Sequence, residues 1–178
     1  SEGKRLAKEN QIDNIYFQLG NAEKLPYEAE SFDLMITRLS FHHFAEPEIP
    51  FREMQRVLKT GGKLVIWDME AVEEPLRVAN DKIEKMRDPS HTRILSREEF
   101  EKMFQKDFVL QCEESTLVPV NLDSWMELTA TPKEVREKII ALMKNDIYGG
   151  CSTGFSPYLQ ENKIMFDHRW LLLIGEKN

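Results

Sequence analysis

The chain is poor in cysteine, in glycine loops and in long apolar runs. Only two cysteines, Cys112 and Cys151, occur in 178 residues, too few and too unpatterned for a disulfide framework or a zinc site. A reducing, cytoplasmic setting is therefore the default expectation. No apolar run approaches the roughly 20 residues that span a bilayer, and Trp170 to Ile174 is only strand length. The start carries no signal-peptide pattern, and repeats and low-complexity tracts are missing. The 24 basic residues are outnumbered by 31 acidic ones, giving a net charge of −7 with no basic cluster. Neither nucleic acid nor membrane is an expected partner, because phosphate binding needs Lys and Arg gathered on one face. No Gly-x-Gly follows a strand-like run either: Gly61-Gly62 precedes one, and Gly149-Gly150 lies in a polar loop.

What is present centres on Gly20 to Phe44, GNAEKLPYEAESFDLMITRLSFHHF. Phe32 to Arg38 is an apolar run with one acidic break, too short for a helix and too continuous for a one-sided strand. It reads as a buried strand of a parallel sheet. Ahead of it, Ile15 to Leu19 is β-prone. Behind it, Glu46 to Leu58 reads as a helix, with Pro47 and Pro50 tolerable in its first turn and Phe51, Met54, Val57 and Leu58 on one apolar face. Thr60-Gly61-Gly62 stops that helix, and Gly62 to Trp67 gives a further strand. Strand, loop, strand, helix, strand is an α/β order. Ligands of such sheets sit beyond the carboxyl ends of the strands, where this chain carries Asn21, Glu23, Arg38 and Asp68.

The remainder fits one domain of this size. Ser1 to Asn10 looks like the tail of a polar helix. Leu76, Ala79, Ile83 and Met86 repeat at helical spacing before Pro89 ends the run. Ser96 with Glu99 forms a capping box for a helix through Phe104, and Thr131-Pro132 with Glu134 suggests another for a helix through Met143. Phe108 to Val118 alternates as a strand, and Ile164 to Gly175 reads as a last strand antiparallel to it. Residues 119 to 160 then form an insertion between the two, a frequent place for substrate contacts or a lid.

Three segments in order, GNAEKLPYEAESFDL, RLSFHHF and REMQRVLKTGGKLVI, resemble the class I S-adenosylmethionine-dependent methyltransferases, specifically the ubiquinone and menaquinone methyltransferase group (methyltransferase type 11). RDPSH, Arg87 to His91, with DSW, Asp123 to Trp125, resembles a narrower bacterial subgroup acting on small molecules. The resemblance implies a Rossmann-like, doubly wound sheet, with residues 1 to 178 as a single partial domain that is amino-terminally truncated against the family pattern. The family's glycine-rich loop and the acidic residue that binds the ribose have no counterpart. The two strands that carry them in the family lie between those placed here at 15 to 19 and 33 to 38. Unpaired buried backbone is costly, so non-family pairing, including a homodimer, is one way to close such a gap.

The resemblance also assigns residues. Asn21, Ala22 and Glu23 occupy the adenine-binding turn, where the residue 21 oxygen takes the adenine amino group, the next N–H meets a ring nitrogen, and Leu25 covers the ring. An ordinary Asx turn is the plainer alternative. Arg38 and Leu39 end the strand whose carbonyl meets the methionine ammonium; the Arg38 side chain either steers an anionic substrate or faces solvent. His43 is the candidate general base, since histidine exchanges protons near neutral pH; the alternative is that His42 and His43 only orient the loop. A metal held by His42, His43 and Asp68 or His91 is disfavoured, because adjacent loop histidines chelate poorly. Asp88 and His91 belong either to a substrate lid or to a plain Asp-Pro helix stop, and Trp67 and Trp125 read as packing. The functional expectation is methyl transfer from S-adenosylmethionine to a small-molecule acceptor, incomplete in this chain. A non-catalytic scaffold is the main alternative, and a nicotinamide oxidoreductase is weaker, because its phosphate loop and a Tyr-x-x-x-Lys pair are both missing.

Overall fold

A computed structural model of the chain describes residues 2–178. Its framework is a mixed sheet of β1 (Phe32–Arg38), β2 (Leu58–Met69), β3 (Phe108–Asn121), β4 (Tyr158–Gln160) and β5 (Lys163–Lys177). The order is β1-β2-β5-β3, with β4 hydrogen-bonded to β5. β1 and β2 are parallel, with Arg38 opposite Trp67. β5 runs antiparallel to both β2 and β3, as expected for the last pair. Glu161 and Asn162 both take positive φ at the β4–β5 turn, the backbone twist that a two-residue hairpin loop needs.

The crossover between β1 and β2 runs through a 3-10 turn (Phe41–His43) and helix α2 (Glu48–Val57). Phe51 and Met54 of α2, with Phe100 and Phe104 of α4 (Arg97–Phe104), bury against Leu64, Ile66, Leu171 and Leu173 on one face of the sheet. Gly175 lets β5 pass there, since a Cβ on it would lie 2.6 Å from the Phe104 ring. β3 and β5 extend beyond β2 and carry a second core. Phe166 of β5 meets Ile83 of α3 (Leu76–Arg87), Trp125 and Met126 of α5 (Leu122–Leu128), and Ile139 and Met143 of α6 (Lys133–Ile147). Alternation along β5 puts Phe166 on the face opposite Leu171 and Leu173.

The Ser96–Glu99 capping box forms in both directions. The box expected at Thr131 does not: α6 begins after Pro132 without a side-chain cap, and the Thr131 hydroxyl donates to the Arg87 carbonyl at 3.3 Å instead. Two strand expectations also change. Residues 15 to 19 are not a strand; no neighbouring strand pairs with them, and Tyr16 and Leu19 are 94% and 99% exposed. β1 is not buried but lies at the sheet edge, with Leu34 and Ile36 at 51% and 65% exposure. Its other face does enter the core, through Met35. The amino-terminal helix α1 (Glu2–Glu9) matches expectation over its described residues; Ser1 lies outside them.

Candidate functional site

At the carboxyl ends of β1 and β2 the chain gathers a densely bonded buried carboxylate. Asp68, 1% exposed, accepts from the backbone N–H of Ser40 at 2.6 Å and of Phe41 at 2.8 Å through Oδ2. Its Oδ1 accepts from Met69 N at 2.9 Å and faces His42 Nδ1 at 2.7 Å. These four contacts offset the cost of burying the Asp68 carboxylate. Leu39 enters the turn with φ +50 and sends its N–H to the Trp67 carbonyl at 2.9 Å. The result is a fixed platform running from Arg38 to His43.

His43 is half-buried on this platform and lies beside His42, with ring centroids 4.2 Å apart and the planes tilted by 48°. Its Nδ1 lies 3.2 Å from the Ser90 carbonyl and 3.1 Å from Ser90 Oγ. The loop after α3 is sewn to the same turn: Thr92 N and Arg93 N donate to the His42 carbonyl, and Thr92 Oγ1 donates to that of His43. RDPSH is thus both a helix stop and a neighbour of the histidine pair. His91 also packs beside His42, ring centroids 5.7 Å apart, while its Nε2 lies 2.8 Å from Asp81 Oδ1.

Arg38 is exposed, as the solvent-facing alternative has it. Its guanidinium lies over the Trp67 and Trp170 rings, 5.0 and 5.1 Å from their centroids, a cation–π arrangement. Trp67 therefore supports Arg38, while Trp125 belongs to the second core.

The Asn21–Leu25 turn is held differently. Asn21 Oδ1 accepts from Glu23 N at 2.9 Å, an Asx turn, and Asn21 O accepts from Lys24 N at 3.1 Å. Leu25 N donates to Glu53 Oε2 at 2.9 Å, and Arg56 donates to the carbonyls of Leu25 and Tyr27. The Arg56 guanidinium holds the Glu53 carboxyl at about 2, well below its usual 4.5, with the Leu25 N–H adding to the effect against burial. Among the described residues, no hydrogen bond or ion pair joins this turn to Arg38, Leu39 or His43. With residues 15 to 19 unpaired, the expected three strand ends reduce to two.

One group escaped the sequence reading. Glu84 is fully buried on α3 and faces His168 Nε2 of β5 at 3.1 Å and Arg87 Nε at 3.5 Å. Burial by itself would raise its carboxyl, yet the His168 hydrogen bond and charge, with Arg87 and His91, leave it below its ordinary value. Glu84 falls on the same helical face as Asn80 and Ile83, an acidic residue in an apolar register, and that was the available signal. The described residues contain no group of three His, Cys, Asp or Glu placed to hold a metal ion. No described helix is long and apolar enough to cross a membrane.

A family model described as a methyltransferase domain matches residues 1–139. The chain belongs to this methyltransferase family. It is 35% identical over 176 residues to the uncharacterized methyltransferase YcgJ of Bacillus subtilis, covering 97% of this chain and 69% of YcgJ. The YcgJ crystal structure superposes with a TM-score of 0.85 at 30% identity, over 98% of this chain and 76% of that one. An uncharacterized Escherichia coli protein, YafE, is 30% identical over 76% of this chain and 66% of its own length. The ubiquinone/menaquinone biosynthesis C-methyltransferase UbiE of Agrobacterium fabrum is 36% identical over 72 residues, 40% of this chain and 28% of UbiE. The family and the Rossmann-like α/β class implied by the sequence resemblance are both met.

Proposed function

We propose that this methyltransferase transfers a methyl group from S-adenosylmethionine to a small-molecule acceptor, with His43 taking the acceptor's proton. The observation that carries the reading is the platform from Arg38 to His43, locked by Asp68 at the carboxyl ends of two parallel strands, where α/β sheets receive ligands. The residues fit the cofactor in part. Asn21 Oδ1 keeps a lone pair beyond its bond to Glu23 N. The Ala22 N–H and the Leu39 carbonyl have no protein partner among the described residues. Asn21, Ala22, Glu23 and Leu25 would hold the adenine, and Arg38 and Leu39 the methionine end. Bound S-adenosylmethionine supplies a methyl group already activated on a sulfonium. What is left for the chain is to orient the acceptor, exclude water and receive a proton. Residues 119 to 160, which include α5 and α6, act as the lid over the acceptor within a single domain.

The test is calorimetric titration with S-adenosylhomocysteine on protein of verified intact mass, followed by methyl-transfer assays on wild type and His43→Gln. Micromolar binding that weakens in Asn21→Ala is expected. An absence of binding by the full-mass protein would remove the enzyme reading.

A second reading, self-association without catalysis, is favoured by one feature. The edge strand β1 offers free backbone next to exposed Leu34, Ile36 and Trp67. Light scattering on the same sample decides it: a homodimer abolished by Ile36→Lys supports the scaffold, and a monomer that binds S-adenosylhomocysteine rejects it.

A further inference from the structure

We propose that Asp88 and Ser90 are positioning residues for His43, forming a relay that fixes which imidazole nitrogen carries the proton. The inference rests on the general-base reading of His43 and adds to it the residues that set its tautomer. Two atoms of Ser90 meet His43 Nδ1. The carbonyl oxygen, 3.2 Å away, can only accept. The hydroxyl oxygen, 3.1 Å away, has one proton to give, and that proton goes to Asp88 Oδ1 at 2.6 Å. Toward His43 the hydroxyl therefore also accepts. Two acceptors at one ring nitrogen require Nδ1–H, so the lone pair of the neutral ring sits at Nε2, which has no hydrogen-bond partner among the described residues.

Asp88 is equipped to hold the hydroxyl in that direction. The same Oδ1 accepts from Ser90 N at 2.9 Å, so Ser90 is bound to it through both backbone and side chain. The Ser90 hydroxyl holds the Asp88 carboxyl below its ordinary value, with Ser90 N–H and the charges of His43 and Arg87 adding to this against burial. A helix stop needs only the contacts within Asp88–Ser90. The link across 47 residues to His43 is what a plain stop does not explain. When an acceptor X–H gives its proton to Nε2, the bonding pair stays on X and the ring becomes an imidazolium. Its Nδ1–H still points at Ser90, and the charge of Asp88 reaches it through the hydroxyl. The acceptor class this serves is one that carries a proton on its nucleophilic atom, such as a hydroxyl, phenol or thiol.

Two-bond proton–nitrogen spectra of the histidine rings, recorded on the full chain near pH 8, read the tautomer without turnover. Wild type is expected to show His43 as Nδ1–H. Asp88→Ala frees the Ser90 hydroxyl to donate to Nδ1, and the ratio of Nδ1–H to Nε2–H should fall about tenfold, a loss of roughly 1.4 kcal/mol. Ser90→Ala leaves the carbonyl in place and should shift the ratio less, in the same direction. A wild-type ring protonated at Nε2 would overturn the relay. So would an unchanged ratio in either variant with native amide spectra; should Asp88→Ala not fold, Ser90→Ala decides alone. The reading of His43 as base fails separately: full methyl-transfer rate in His43→Gln would end that role and leave the tautomer shift standing.

Discussion

The two polar turns assigned to the site are built in opposite ways. The Ser40–His43 turn wraps a buried carboxylate that accepts from three backbone N–H groups and faces a buried histidine. The Asn21–Leu25 turn is exposed, closed mainly by its own Asx bond, and tied to the body through half-buried Glu53 and Arg56. The difference follows from their neighbours. A turn that joins two paired strands inherits their burial, and its backbone groups must be satisfied from within. A turn preceded by an unpaired segment stays in water, which satisfies the rest. In the proposed enzyme, the rigid turn places the proton acceptor while the exposed one closes on a nucleoside.

That contrast fails if Asp68 proves dispensable. Asp68→Ala leaves three backbone N–H groups and buried His42 without their acceptor, and should cost about 3–5 kcal/mol in denaturant unfolding; a loss near that of an exposed residue would break the comparison. His43→Gln tests whether the rigid turn serves chemistry. The methyl-transfer rate should drop at least about a hundredfold, with stability within about 0.5 kcal/mol of wild type. On the other side, Glu53→Ala removes the acceptor for Leu25 N and the partner of Arg56, and should cost about 1 kcal/mol. Asn21→Ala should cost less than that by thermal melting, yet weaken S-adenosylhomocysteine about tenfold in calorimetry.

Acid sharpens the contrast further. The Glu53 carboxyl is depressed in the folded protein from 4.5 to about 2, so its contribution is complete above the unfolded value and fades as pH falls through that window. The protection factor of the Leu25 amide, its exchange relative to an unstructured amide at the same pH, should fall between those two values, while Glu53→Gln should show no such step. A Leu25 protection factor that is flat in the wild type across that range would argue against Glu53 as the anchor of this turn.

Elements with strong local signals were legible in the chain. The Ser96–Glu99 box, α2 with its early prolines, and the final antiparallel pair all formed near their expected bounds. Ile15 to Leu19 has the composition of a strand and lacks only a neighbour, which composition cannot reveal. The apolar run of β1 suggested burial on both faces, but its place at the sheet edge exposes Leu34 and Ile36. Thr131 looked like a helix cap until the Arg87 carbonyl took its hydroxyl. Within the site, Asp68 and the histidine pair were visible by position. That Ser90 would meet His43, or that Glu84 would lie buried against His168, was not.

Residue order alone determined the family and the α/β alternation, because hydrophobic period, caps and turn residues act over a few positions and survive without knowledge of the rest. Tertiary structure decided the hydrogen-bond directions. Asp68 with Phe41, Ser90 with His43 and Glu84 with His168 lie 27, 47 and 84 residues apart. A proton's place on His43 depends on which acceptors packing brings to its ring, and no local pattern encodes that.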